Sequence, residues 1–151
     1  MKTTCMHHIK LLILSTLIIT TLCSCASLNN SILHEDFDKA FSLIESGADV
    51  NHRDIINCTP LFYAALQGNL LLVQKLIDKG AQANSINGKS LETPLHMAAI
   101  REDLKAFTLL VKNGANYTIK DRYGRTPLDL AVQNGHGDLL LALKKKKLID
   151  F

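Results

Sequence analysis

A threonine-proline-leucine triplet recurs along this sequence at nearly equal intervals, and this recurrence constrains the fold more than any other feature. The triplet begins at Thr59, Thr93 and Thr126, so its copies stand 34 and 33 residues apart. A fixed period in this range is typical of stacked-repeat proteins. A threonine hydroxyl can accept a backbone hydrogen bond at a helix start, and a proline after it has a preset φ and no amide hydrogen. The triplet therefore predicts three helix starts, each opening one unit of a solenoid.

A second motif closes the units in phase with the first. Gly80-Ala81 follows Thr59 by 21 residues, and Gly114-Ala115 follows Thr93 by the same 21 residues. Gly47-Ala48 closes the preceding unit and stands 12 residues before Thr59. A glycine at the end of a helix readily adopts the left-handed conformation that terminates it. Opening and closing motifs together delimit helix pairs separated by short loops.

The best copy of both motifs resembles the ankyrin repeat. It runs Thr93-Pro94-Leu95-His96-Met97-Ala98-Ala99 and closes with Gly114-Ala115-Asn116. The resemblance covers the chain from about Leu28 to the C-terminus. It implies an all-α ankyrin-repeat solenoid of helix-turn-helix units joined by short β-hairpin-like loops. The domain would occupy residues 26–151, with repeats at about 28–50, 54–84, 88–117 and 121–150.

Two details of the units lead to specific expectations. The loop between Gly80 and Thr93 is one residue longer than its equivalents, which places an insertion at the hairpin tip around residues 87–90. A loop tip tolerates such an insertion better than a helix face does. The ankyrin resemblance gives His96 a structural hydrogen-bonding role. His136 follows the helix stop Gly135, and we expect it to cap the last helix in the same way.

The N-terminus has the pattern of an export signal. Lys2 and Lys10 precede an apolar run from Leu11 to Leu22, and small residues follow it, which is typical of a secretory signal peptide over residues 1–24. The tetrad Leu22-Cys23-Ser24-Cys25 resembles the bacterial lipobox. That resemblance implies a lipoprotein in which Cys25 carries a diacylglycerol and anchors the chain in the membrane. The resemblance also favours the outer membrane, because Ala26 stands where an Asp typically retains such lipoproteins in the inner membrane.

Two alternatives for the N-terminus remain open at this point. The signal could be cleaved without lipidation, or it could stay as an uncleaved membrane anchor. If Cys25 is not lipidated, a disulfide with Cys58 is conceivable in an oxidising compartment. With Cys25 lipidated, Cys58 is the lone thiol of the exported body.

Charge and motif content argue against several classes of function. The chain has 17 Lys and Arg against 14 Asp and Glu, but Lys2 and Lys10 belong to the leader and four more bases form the run Lys144–Lys147. The rest of the body is therefore net acidic, and we expect no nucleic-acid partner, which would need a basic face. The glycines follow the repeat period and form no phosphate loop. No catalytic constellation, metal-ligand spacing, cofactor motif or small-molecule site is recognisable, so we expect no enzyme.

What remains is a surface for another protein. In ankyrin-like stacks, hairpin tips and first helices line a concave face that binds proteins. The matching tip positions are Ile55, Ile56, Cys58, Ser90, Glu92, Arg122, Tyr123 and Arg125. The matching first-helix positions are Leu66, Gln67, Ile100, Arg101, Gln133 and Asn134. Tyrosine and arginine are residue types favoured at binding hot spots.

These expectations combine into a non-enzymatic protein-binding module anchored in the bacterial cell envelope. The lipid would hold it at the periplasmic side of the outer membrane. The alternative is a secreted ankyrin-repeat factor that acts on host proteins.

Overall fold

A computed structural model describes residues 28–147. The predicted signal peptide and Cys25 lie outside the described residues, so the lipidation of Cys25 stays a prediction. Within 28–147 the chain forms four consecutive helix pairs and no β-strand, as the repeat pattern predicts. The helices are α1 (28–33), α2 (Phe37–Glu45), α3 (Pro60–Gln67), α4 (Leu70–Asp78), α5 (Pro94–Ile100), α6 (Leu104–Lys112), α7 (Pro127–Gln133) and α8 (Gly137–Lys145).

The helix pairs stack in two layers. The first helices form one layer, in which α3 packs on α5 and α5 on α7. The second helices form the other, in which α2 packs on α4, α4 on α6 and α6 on α8. Alanines fill the crowded positions where a first helix meets its own partner and the next repeat. The fully buried ones include Ala64, Ala65, Ala98, Ala99 and Ala131.

The threonine of each triplet begins a first helix as predicted. Thr59, Thr93 and Thr126 have extended backbone conformations, and the proline after each is the first helical residue. The Thr59 hydroxyl accepts a hydrogen bond from the Phe62 amide, and the Thr126 hydroxyl accepts one from the Asp129 amide. Thr59 and Thr93 are buried, so their own amides and hydroxyls also need partners within the protein.

The second helices also begin on capping side chains. Asp36, Asn69 and Asp103 accept hydrogen bonds of 2.9 to 3.2 Å from the backbone amide three residues ahead. His136 is the N-cap residue of α8, as expected, but its side chain makes no capping hydrogen bond. Its Nδ1 instead donates to the Ala99 carbonyl oxygen at 3.0 Å and ties α8 to the preceding repeat. An imidazole is longer than an aspartate side chain, so it can reach the carbonyl oxygen of Ala99 in α5.

Two of the turns inside the helix pairs have a glutamate where the other two have a glycine. Gly68 and Gly135 have φ values of 72° and 77°, which glycine adopts freely. Glu35 and Glu102 hold the equivalent left-handed conformation at 60° and 55°. A residue with a side chain costs about 1–2 kcal/mol in that conformation. The packing of the helices on either side therefore holds these two turns in an unfavourable geometry.

Asparagines connect the bases of successive hairpins. Asn51 donates from Nδ2 to the Gly80 carbonyl oxygen at 3.0 Å and accepts from the Gln82 amide at 2.8 Å. Asn84 repeats the arrangement with Gly114 and Asn116, at 2.8 and 2.7 Å. Each side chain thus pairs with both a donor and an acceptor of the next repeat. This fixes the spacing of the hairpins that project from the stack.

The inserted residue lies in the second hairpin, where the backbones of Asn87 and Glu92 pair in both directions. Asn87 stands seven residues after Gly80, as Asp54 does after Gly47 and Asp121 after Gly114. Its side chain is fully buried, and its Oδ1 accepts from both the amide and the hydroxyl of Thr59, at 2.8 and 3.0 Å. The hairpin of one repeat therefore completes the helix opening of the repeat before it.

Among residues 28–147, no helix is long and apolar enough to cross a membrane.

Replacing Asn87 with alanine should destabilise the protein by about 1–3 kcal/mol, because the buried amide and hydroxyl of Thr59 would lose their shared acceptor. Urea unfolding followed by circular dichroism measures this change. Asn134→Ala, at an exposed position, is the control and should change stability by less than about 0.5 kcal/mol. Equal stabilities of the two variants would contradict the role of Asn87.

Candidate protein-binding surface

The first hairpin carries an apolar tip. Ile55 is fully exposed and Ile56 is 58% exposed. Asp54 holds the turn from inside, because its Oδ1 accepts from the amides of Ile56 and Cys58 at 3.0 and 2.9 Å. Its Oδ2 accepts from the Tyr63 hydroxyl at 2.6 Å. Burial, together with this hydrogen bond to a carboxylate, raises the pKa of Tyr63, so the hydroxyl stays protonated and keeps donating.

A groove lies beside this tip, between the first hairpin and α1. Its apolar lining comes from Leu33, Ile55, Ile56 and Tyr63. Leu33 is exposed on α1 and stands at the same repeat position as Leu66 and Ile100. The tip and the first helices thus form one continuous surface at this end of the stack.

The second hairpin presents both polar and apolar groups, the latter from the exposed Ile86 and Leu91. The Ser90 hydroxyl donates to Glu92 Oε2 at 2.7 Å, and both residues are half-buried. Lys89 and Leu91 are exposed beside them. The Ser90 carbonyl oxygen accepts from the Arg122 amide at 2.9 Å and so connects the second hairpin to the third. Ser90 and Glu92 therefore brace the surface as much as they face solvent.

The third hairpin is built around a buried carboxylate. Asp121 Oδ1 accepts from the amides of Tyr123 and Arg125 at 2.8 and 2.9 Å. Asp121 Oδ2 accepts from Arg125 Nε at 2.8 Å and pairs with Nη2 at 2.7 Å. Burial by itself would raise the pKa of Asp121, but the hydrogen bonds and charge of Arg125 outweigh it and hold that pKa below its usual range. Asp121 therefore stays charged and keeps the tip in one conformation.

An aromatic ring projects from this tip between two cations. Tyr123 is 69% exposed, and its ring centre lies 4.9 Å from the Arg125 guanidinium carbon and 5.7 Å from that of Arg122. Contacts in this range are attractive cation–π interactions. Arg125 also donates from Nη1 to Gln133 Oε1 at 3.2 Å, which ties the tip to α7. Arg122, Tyr123, Arg125 and Gln133 therefore lie together at this end of the stack.

The first-helix positions are partly used inside the stack. Gln67 donates to the Leu33 carbonyl oxygen at 3.1 Å, and Arg101 donates to the Leu66 carbonyl oxygen at 3.0 Å. Both bonds join the end of one first helix to the end of the preceding one. Leu66 and Ile100, which precede Gln67 and Arg101 in the sequence, are each about one-third exposed. Asn134 is exposed at the end of α7. These positions line the surface, but Gln67 and Arg101 also hold the repeats together.

A family model for ankyrin repeats matches residues 28–121 and 86–151, which together cover the whole stack. The chain belongs to the ankyrin repeat family. It is 33% identical over 97 residues to cyclin-dependent kinase 4 inhibitor B of Rattus norvegicus, covering 64% of this chain and 74% of that protein. It is 36% identical over 95 residues to palmitoyltransferase ZDHHC13 of Pongo abelii, covering 63% of this chain.

A third relative, BRCA1-associated RING domain protein 1 of Caenorhabditis elegans, is 33% identical over 106 residues, or 70% of this chain. The chain spans only 15% of the length of this protein and 15% of the palmitoyltransferase. The similarity to these two larger proteins therefore concerns their ankyrin repeats alone. Ankyrin repeats mediate protein–protein interactions.

Cys58 is a correction to the predicted ankyrin surface. It is free and buried at the base of the first hairpin, because its side chain points into the core next to Thr59. Burial raises the pKa of its thiol, which keeps the thiol protonated. Leu33 and Lys89 are additions to the surface. Alignment of Leu33 with Leu66 and Ile100 at the repeat period could have revealed the first, and the tip insertion could have revealed the second.

The histidine of the ankyrin motif has a structural role, as predicted. His96 is fully buried; its Nδ1 accepts from the Thr93 amide at 3.0 Å, and its Nε2 lies 3.2 Å from the Arg125 carbonyl oxygen, to which it donates. This pattern requires a neutral ring. In the part of the chain that the structure describes, no group of three or more His, Cys, Asp or Glu side chains could hold a metal ion.

Acid should weaken the fold through His96. Burial lowers its pKa below the usual value of 6.5, against the opposing carboxylates of Glu92 and Asp121. The unfolded chain therefore binds more protons than the folded one below about pH 6.5, and stability falls there by up to about 1.4 kcal/mol per pH unit. We expect the melting temperature of the wild type to drop between about pH 7.5 and pH 5.5.

His96→Asn should be less stable at neutral pH and should lose most of this pH dependence. Asparagine is a sensible replacement because Asn29, at the same repeat position, donates to the Cys58 carbonyl oxygen at 3.0 Å. The control is His34→Asn, at an exposed histidine, which should keep the wild-type slope. Identical slopes for His96→Asn and the wild type would show that the buried ring does not set the acid response.

Proposed function

We propose that this chain is a non-catalytic protein-binding module that holds one partner against its hairpin tips and first helices. The observation that carries this is the third hairpin, where an exposed Tyr123 stands between two arginines on a turn fixed by the buried Asp121. Such preorganisation lowers the entropy lost on binding. The similarity to a kinase inhibitor over 74% of its length supports a role exerted by binding rather than by turnover.

The residues proposed to contact the partner are those of the predicted surface. They are Ile55, Ile56, Leu66, Gln67, Ser90, Glu92, Ile100, Arg101, Arg122, Tyr123, Arg125, Gln133 and Asn134. We expect the energy to concentrate on the exposed Ile56, Arg122 and Tyr123, because Gln67, Arg101 and Arg125 are already engaged within the protein. Large aromatic, apolar and arginine side chains are the usual hot spots of such surfaces.

We further propose that the module is held at the cell envelope by a lipid on Cys25, with its repeats on the periplasmic side of the outer membrane. The support is the lipobox-like tetrad that ends at Cys25 behind an apolar leader. A tether raises the local concentration of the module near a membrane-associated partner. The alternative, secretion toward host proteins, differs from this in requiring release of an unacylated chain.

A crosslinked pull-down tests the surface with a variant that combines Ile56→Asp, Arg122→Ala and Tyr123→Ala. We expect recovery of partner proteins to fall at least about tenfold, since loss of hot-spot residues costs about 2 kcal/mol or more. Arg125 is left in place because its loss would leave the buried Asp121 carboxylate without its ion-pair partner. The matched control is Leu71→Asp with Leu141→Ala, at exposed leucines of the second helices. Equal recovery by surface variant and control would remove this surface from consideration.

Acyl labelling with membrane fractionation tests the tether. The wild type should incorporate a labelled fatty acid and sediment with membranes, whereas Cys25→Ser should lose the label. Cys58→Ser is the control, since the buried thiol of Cys58 has no part in the proposed lipidation and the variant should label like the wild type. Unlabelled wild-type protein in the medium would refute the tether and favour the secreted alternative.

A further inference from the structure

The two ends of the hairpin row differ in chemistry. At the first hairpin, the exposed apolar side chains are Ile55, Ile56 and the neighbouring Leu33. The charges close to them are used internally. Arg53 donates to the carbonyl oxygens of Asn57 and Ile86 at 3.2 and 2.7 Å, and Asp54 accepts from Tyr63. This end therefore offers apolar area beside the exposed Arg53, whose guanidinium is held in place by these carbonyl oxygens.

The third hairpin offers cations and an aromatic face. Arg122 is exposed and pairs with no carboxylate among residues 28–147. Lys89 is exposed on the adjoining hairpin, which the bond from the Arg122 amide to the Ser90 carbonyl oxygen joins to this one. The acid at the tip, Asp121, is buried and already neutralises Arg125. Glu92 on the adjoining hairpin is half-buried and accepts from the Ser90 hydroxyl, so the exposed Arg122 and Lys89 present positive charge at this end.

Internal bonds hold both ends in a fixed arrangement. Asp54 and Asp121 each fix a tip through two backbone amides, and Asn51 and Asn84 fix the hairpin bases to one another. A partner segment laid along the tips would meet the apolar end and the cationic end at a constant separation. Such a rigid pattern selects a segment by the order of its side chains, because mismatched ends leave a charge unpaired or apolar area exposed.

We infer that the partner presents an extended segment with apolar side chains at one end and carboxylate side chains at the other. The apolar end lies against the first hairpin and its groove, and the carboxylates meet Arg122 and Lys89 beside the ring of Tyr123. Arginine binds carboxylates in a planar, two-pronged geometry, and complementary charge speeds and orients association. This inference rests on the proposed function and adds the chemistry of the partner to it.

Selection from a displayed library of random linear peptides tests the inference without knowledge of the partner. The full chain is solubilised in mild detergent, and the retained peptides are sequenced. We expect enrichment of peptides that combine apolar residues at one end with two or more Asp or Glu at the other. Individual peptides should bind about tenfold or more weakly to an Arg122→Glu, Lys89→Glu double variant, as expected when charge pairs become repulsive.

A second double variant controls for net charge. Lys105→Glu with Lys112→Glu makes the same charge change on α6, at exposed positions away from the tips, and should leave peptide affinity within about twofold of the wild type. Ile55→Ser with Ile56→Ser should remove the preference for apolar residues and keep the preference for acids. Helical circular dichroism of every variant should match the wild type, because all the changed side chains are exposed.

Three results would overturn the inference. Retained peptides without acidic enrichment, or peptides insensitive to the Arg122 and Lys89 changes, would show a different partner chemistry while leaving protein binding intact. Retention of no peptide would exclude a linear segment, and the crosslinked pull-down would then decide separately whether the surface binds a folded partner. Self-association that Ile55→Ser with Ile56→Ser abolishes would assign the apolar end to a second copy of this chain.

Discussion

The amide and hydroxyl of each opening threonine have hydrogen-bond partners within the protein, and the repeats provide these partners in different ways. In the third repeat, His96 accepts from Thr93 and then donates to the Arg125 carbonyl oxygen of the next repeat. In the fourth, Asp129 accepts from both groups of Thr126. In the second, Phe62 occupies the same position and cannot accept, so Asn87 reaches back from the next hairpin. Thr59 and Thr93 are buried, and leaving their polar groups unpaired would cost about 1–3 kcal/mol each.

The same internal bonding decides what the surface can offer. Carboxylates and asparagines at the hairpin bases and turns make the hydrogen bonds that the backbone there needs. The outward side chains Ile55, Ile56 and Tyr123 are not needed for these bonds. Ile55, Ile56 and Tyr123 are therefore free to vary with the partner while the scaffold stays unchanged. Gln67 and Arg101 differ, because each bonds to a carbonyl oxygen of the preceding repeat. The tips can set specificity, whereas the first helices share their side chains with the stack.

The motif spacing predicts most of the fold because the physics behind it is local. Thr-Pro starts a helix and Gly ends one within a single turn, so the helix pairs could be placed before any tertiary contact is known. Exposure of Ile55, Ile56 and Tyr123 likewise follows from their places in the repeat. The burial of Cys58 and the reach of His136 to Ala99 depend on neighbouring repeats, and a local pattern carries no such information.

For the same reason, a local sequence pattern does not predict the role of Asn87. Its position in the repeat matches that of Asp54 and Asp121, which accept hydrogen bonds within their own hairpins. Asn87 instead accepts from Thr59, because Phe62 of that repeat offers no acceptor. The apolar leader and Cys25 lie outside the described residues, so export and lipidation rest on the sequence motif.

The reach of Asn87 into the preceding repeat also means that the modules of this array are not interchangeable. The second repeat, cut out or duplicated elsewhere, would begin with a threonine whose partner belongs to a different segment of the chain. Recombination could exchange the second and third repeats only as a joined block. A second repeat moved by itself would need a histidine or an acid at the position of Phe62 to pair with its opening threonine.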